Sequence, residues 1–226
     1  MKFKDIMQKQ ANKLKSIKFL SAFTLAEVLI TLGIIGMIAE MTIPTLMNQT
    51  QDAQFKAGAK VAFSNASQAV ELMKIDAGDT LATYAATTQS FKPLFMNYFK
   101  VAKDCSMSSC VPSSGASDMY TTLGGVKANT CYMDDGQFIT ADGMFYGIEN
   151  YSVTGILMIT VDVNGIEKKP NKFGKDVFTL QIVNDTLLPM GTTGTFFPSP
   201  TYCDKTDTGV FQGLGCMSNI MQGISY

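Results

Sequence analysis

The chain has 226 residues, 46% of them hydrophobic, with 18 basic and 19 acidic side chains and a formal net charge of −1, which suits one core of moderate size plus an anchor rather than two large domains. It holds no His and no Arg, so every basic residue is Lys. Ser-His-Asp and Cys-His nucleophile pairs, imidazole-ligated metal centres and the bidentate guanidinium grip on phosphate are therefore excluded.

Charge is spread unevenly. The first 22 residues carry Lys2, Lys4, Lys9, Lys13, Lys15 and Lys18 against Asp5, a balance of +5, whereas twelve lysines face eighteen acids in the rest, a balance of −6. A basic stretch beside a membrane span stays in the cytoplasm, so the chain beyond the span is expected to face outward. The span is the run Ser21 to Leu46, "SAFTLAEVLITLGIIGMIAEMTIPTL", apolar except for Glu27 and Glu40. In an ordinary secretory signal the apolar core precedes the cleavage site, but here the small pair Ser21-Ala22 comes first. A cut after Ala22 would remove the lysines and leave the span on the product. An uncleaved signal anchor is the plain alternative, and two glutamates in the run weigh against it.

The string Ala22-Phe23-Thr24-Leu25-Ala26-Glu27-Val28-Leu29-Ile30 resembles the cleavage and methylation signal of type IV prepilins and type II secretion pseudopilins. Those signals join a short basic leader to a small residue before the cut, Phe or Met after it, then Thr, Leu and a glutamate where Glu27 stands. Many carry a proline where Pro44 stands. The residue before the cut is usually Gly, and this chain has Ala22. The resemblance covers about the first quarter of the chain. It implies a prepilin peptidase that cuts between Ala22 and Phe23 and methylates the new amine of Phe23, an inner-membrane assembly platform, and a filament of this and other pilins.

Glu27 lies only about 6 Å along a helix from Phe23, close to headgroups and water, so its cost in a single copy is tolerable. Packed among other spans it would lose that water and need a cation, since an unpaired buried charge costs several kcal/mol. In the resemblance that cation is the freed amine of Phe23 on a neighbouring subunit, making Glu27 a register device like the lone polar residue of a coiled-coil seam. Glu40 lies about 20 Å further on and nearly opposite around the helix, so the two acids form no pair. It reads as a residue of the outer interface.

Beyond the span, Phe55, Ala59, Ala62, Phe63, Ala66, Ala69, Val70 and Met73 recur at helical spacing, with Gln51, Asp52, Lys56, Lys60, Gln68, Glu71 and Lys74 on the other side. One helix over residues 23 to 75, about 80 Å long, is predicted, with a bend or loosening at Pro44 and a stop at Asp76-Ala77-Gly78-Asp79. The divisions are a leader (1–22), a transmembrane assembly helix (23–46), an amphipathic continuation (47–78) and an outward-facing head (79–226).

In the head, Gln137 to Thr140 and Met144 to Ile148 flank Ala141-Asp142-Gly143 as a hairpin, and Gly155 to Val163 and Asp176 to Val183 are further strands. The expected fold is α+β: a small antiparallel sheet of three to five strands packed on the amphipathic half of the long helix, the ladle of a pilin. Between the last two strands, Asp162-Val163-Asn164-Gly165, Pro170-Asn171 and Gly174-Lys175-Asp176-Val177-Phe178 resemble a run in the heads of many bacterial prepilin-like proteins. Asp162, Asn164 and Asp176 are oxygen donors, and some pseudopilin heads bind calcium in a loop. The spacing fits no calcium-hand loop, and turn chemistry is the favoured reading, with no metal or cofactor expected. Lys168, Lys169, Lys172 and Lys175 would attract phosphate, but Glu167, Asp176 and the acidic balance of the chain argue against nucleic acid.

Cys105, Cys110, Cys131, Cys203 and Cys216 all lie on the side expected to be oxidising, so disulfides are their natural use. Cys203 and Cys216 bracket "CDKTDTGVFQGLGC" and resemble the bridged loop that closes many pilin heads, a closure of about 3 kcal/mol in the chain-entropy account. Among the other three, one pair and one leftover thiol are expected, with the pairing open. The Ser- and Gly-rich stretch Met107 to Thr122 reads as exposed loop suited to partner contact. The expected function is a structural filament subunit with no reaction of its own. A secretion pseudopilin is the near alternative, and a single-span, ligand-binding protein that never polymerises is the distant one.

Overall fold

The computed structural model describes residues 23–78, 81, 89–151 and 155–226. The leader 1–22, with Ala22, and Asp79 lie outside the described residues. One helix, α1, runs Leu25–Ala77. It ends where Gly78 takes φ +75°, a left-handed conformation that costs glycine nothing. Pro44 stands inside α1 without ending it. The chain divides into two compact units, Met1–Asn48 and Gln49–Tyr226.

In the first unit, an 18-residue window of α1 has a mean hydropathy of 1.8 and none of it is buried. Leu29, Ile30, Leu32, Ile34, Ile35 and Ile38 are all exposed. The helix is long and apolar enough to span a membrane.

The second unit is α+β. A second helix, α2 (Phe91–Met96), precedes a sheet of β1 (Val101–Asp104), β2 (Gly136–Thr140), β3 (Phe145–Tyr151), β4 (Ile156–Asp162), β5 (Val177–Val183) and β6 (Thr186–Pro189). A last helix, α3, spans Met217–Gln222. The strands follow in sequence order, each antiparallel to the next. The β2–β3 hairpin turns on Gly143 at φ +89°, where the Asp142-Gly143 pair stands. Six strands exceed the three to five expected. The additions are the edges β1 and β6, four residues each, too short to show an alternating pattern.

One face of the sheet takes the amphipathic half of α1. Ala59, Ala62, Ala66, Ala69, Val70 and Met73, with Phe91 and Phe95 of α2, pack on Phe138, Tyr146, Ile148, Ile159 and Leu180. Phe138 and Tyr146 stack at 5.1 Å between ring centroids. The opposite face has its own core, including Val111, Tyr120, Met133, Phe145, Met158, Phe173, Val177, Phe197 and Leu214. Strands β3 and β4 are buried on both sides almost throughout. The stretch Met107–Thr122 is thus no simple exposed loop, because Val111 and Tyr120 are fully buried in that second core.

Phe138→Ala should remove the centre of the aromatic cluster and lower stability by about 3–5 kcal/mol, read from denaturant unfolding of the tertiary signal. A loss below about 1 kcal/mol would mean that this face of the sheet is not a packed core.

Candidate functional site

Three places carry the chemistry suggested by the sequence. The first is the start of α1. Thr24 precedes the helix, and the backbone N–H and hydroxyl of Thr24 donate to Glu27 Oε2 at 2.8 and 2.9 Å, while Glu27 N–H donates to Thr24 Oγ1 at 3.2 Å. This is a reciprocal capping box, in which each side chain satisfies the other's backbone donor. The Thr-x-x-Glu spacing that signals it is present in the sequence, inside an apolar run that makes the acid the more conspicuous residue. Both Thr24 bonds end on Oε2, and no hydrogen bond reaches Oε1 among the described residues. Phe23, next to the box, is 84% exposed.

The second place is the loop between β4 and β5. Asp162 Oδ2 accepts from the Tyr120 hydroxyl at 2.9 Å, and its Oδ1 accepts from the N–H groups of Asn164 and Gly165 at 3.3 and 3.0 Å. Asp176 accepts Asn171 N–H on Oδ2 at 2.8 Å and Lys172 N–H on Oδ1 at 2.7 Å. All four carboxylate oxygens are thus committed, three to N–H groups of the loop and one to the Tyr120 hydroxyl, as in a turn brace. Two amide oxygens, Oδ1 of Asn164 and of Asn171, are enclosed without a hydrogen-bond partner. Burial, aided by the charge of Asp176, pushes the Asp162 carboxyl up to about 7 against the pull of its three donors. Burial likewise raises Asp176, against the bonds from Lys172 and Asn171. Of the four loop lysines, Lys175 pairs with Asp52 on α1 at 3.4 Å, and Lys168 and Lys169 are exposed.

The third is the set of cysteines. Cys105 is bonded to Cys110 and Cys203 to Cys216, which leaves Cys131 as the free thiol. The Cys203–Cys216 bridge lies beside the first turn of α3, and Gly174 of the β4–β5 loop comes so near that an added Cβ would stand 2.9 Å from Cys216 Sγ.

No protein-family profile, no curated protein and no solved structure matches this chain.

The β4–β5 loop makes stability depend on pH. Unfolded, Asp162 ionises near 3.8; folded, it holds its proton to about 7. Between those values the native state binds the proton that the unfolded state has released, so the contribution of Asp162 to stability is greatest below about pH 4 and declines as pH rises to about 7. The stability of the native sequence minus that of Asp162→Asn should therefore fall across this window. A difference that is flat or rises with pH counts against this account.

Proposed function

We propose that this chain is a prepilin-like structural subunit of a type IV pilus-like filament. It is made with a basic leader, cut between Ala22 and Phe23 by a prepilin peptidase, methylated on Phe23, held in the inner membrane by the apolar part of α1 with its head outward, and added to the filament by packing of α1 against copies of itself and other pilins. The chain performs no reaction of its own in this reading; it is the substrate of the peptidase and the cargo of an assembly platform. The α+β head on a long helix is compatible with the ladle of such subunits.

The observation that carries the proposal is a carboxylate at the fifth residue of the apolar run that starts at Phe23, following Ala22-Phe23-Thr24-Leu25. The geometry adds a reason for its position. Thr24 satisfies Oε2 within the same chain, which lowers the cost of the acid while the subunit is alone. Oε1 is left to accept from a neighbour's terminal amine once cleavage has created one. The pairing sets one axial alignment between subunits, because any other leaves a charge among apolar helices without a partner.

Two measurements test this. Mass spectrometry of the native protein should find an N-terminal, methylated Phe23, and a product that keeps residues 1–22 would refute processing. Glu27→Gln keeps the size and hydrogen-bonding capacity but removes the charge; it should insert in the membrane normally yet lose incorporation into filaments by at least about tenfold, since an uncompensated amine is worth more than 1.4 kcal/mol. A receptor that never polymerises would be indifferent to the change.

A further inference from the structure

Asp134 follows the 3-10 turn Cys131–Met133, Asp135 leads into β2, and Glu149 lies on β3. One carboxylate oxygen from each falls within 4.8 Å of the other two. The backbone builds this meeting. Asp135 N–H donates to Ile148 O at 3.0 Å and Asp135 Oδ2 accepts Asn150 N–H at 2.9 Å, which ties the start of β2 on both sides of Glu149. Asp134 is steadied by the hydroxyl of Ser113, which donates to its Oδ2.

Glu149 is the member that requires an explanation. Its place on β3 puts it on the same face as Phe145, opposite Met158 of β4, so its side chain enters the second core. It is only 8% exposed, and its Oε2 is fully enclosed with no hydrogen-bond partner. No lysine pairs with any of the three acids among the described residues. The carboxylate faces a cavity of about 500 Å³, lined also by Asp134, Asn129, Tyr132, Tyr151 and Met158. A buried acid without a donor is costly, and two further acids beside it raise the cost. A divalent cation held by the three carboxylates would offset both penalties at once.

We propose that Asp134, Asp135 and Glu149 form a binding site for a calcium ion in the head. The donors are all hard oxygens, as calcium requires. Ligand distances of about 2.3–2.6 Å allow two oxygens on opposite sides of one ion to stand about 4.8 Å apart, so the present spacing needs little adjustment. Half-exposed Asp134 and the open cavity leave room for the waters that complete six to eight ligands, whereas magnesium demands a tighter octahedron and gives up its own waters reluctantly. The ion would join the start of β2 to β3 and fix the 3-10 turn that carries Cys131 and Tyr132. The site stands on the head alone and does not depend on filament assembly.

The test is thermal unfolding of the full chain in detergent micelles, first in chelator and then with calcium chloride up to about 10 mM, a range that covers the affinities of extracellular calcium modules. At calcium about ten times its dissociation constant, Tm should rise by about 3–6 °C. Magnesium at the same concentration should shift it less. Glu149→Gln, which keeps the shape and removes the charge, should abolish the calcium shift; Asp134→Asn, a more exposed change, should reduce it. Asp162→Asn should leave it intact. If calcium has no effect on the native sequence while Glu149→Gln stabilises it in chelator, Glu149 is a protonated acid sharing its proton with Asp134 and the proposal is wrong. If the shift survives Glu149→Gln and vanishes in Asp162→Asn, the ion belongs to the β4–β5 loop and the proposal is equally wrong.

Discussion

Ala59, Ala62, Ala66 and Ala69 offer the sheet only methyl groups, beside the larger Val70 and Met73 toward the end of α1, and this packing of helix on sheet is the contact on which that core of the head depends. At Gly58, not even a methyl intervenes, and an added Cβ would stand 3.1 Å from Val163 Cβ. Small residues bring the helix backbone near the strands, and the large ones, Phe138, Tyr146, Ile148 and Ile159, come from the sheet and fill the space. The contact is specific because neither partner is free to slide: shifting the helix by one residue would bring Lys60 or Gln68 where alanine now stands. The same helix is apolar on every side over its first half and apolar on one stripe over its second. A single helix thus joins a segment long and apolar enough to span a membrane to one that packs on the sheet, with the division near the boundary of the two compact units, Asn48.

The absence of Arg and His governs how the head treats its acids. Each ion pair among the described residues has at least one exposed partner, as with Lys92 and Asp104 or Lys175 and Asp52. Buried acids are met by other means. Asp162 and Asp176 receive backbone N–H groups and, for Asp162, the Tyr120 hydroxyl, none of which brings a charge inside. A neutral donor avoids the desolvation of a second ion, which often outweighs the attraction gained. The cost appears as a raised Asp162 pKa, because dipoles offset burial only in part.

What could be read in the sequence follows from the kind of signal each element carries. The amphipathic half of α1 was legible residue by residue, because Phe55 to Met73 repeat one spacing over five turns, and all but Phe63 of the eight named residues are buried. The hairpin was legible because Asp142-Gly143 has few other uses. The second face of the sheet was not. Its core draws Val111, Tyr120, Phe173 and Phe197 singly from irregular chain and Leu214 from a three-residue 3-10 turn, where no period marks an apolar residue as buried. A weaker signal lies in "ILMITV", Ile156 to Val161, where only Thr160 interrupts a run of apolar residues, the mark of a strand covered on both faces. At the start of α1 the Thr24-x-x-Glu27 capping spacing lies inside an apolar run, where the acid stands out and its capping partner does not. Glu149 was hidden for the opposite reason, since a glutamate in a strand is ordinarily the exposed half of an alternation.

Glu27 and Glu149, one in each compact unit, pose one physical problem. Each is a carboxylate whose own chain offers too few donors: Thr24 serves one oxygen of Glu27, and Glu149 Oε2 has no donor at all. Stability alone would favour replacing either by an apolar residue, since an isolated ion in an apolar setting is a net cost. A fold that keeps such a group holds part of its binding energy in reserve until the missing partner arrives. The partner differs with the setting. For Glu27, in the filament proposed above, the fitting cation would be an amine carried by another copy. Inside a head with two more carboxylates at hand, a monovalent ammonium would leave charge unbalanced, and a compact divalent ion fits. The same deficit of donors thus points outward to a neighbour in one place and inward to an ion in the other.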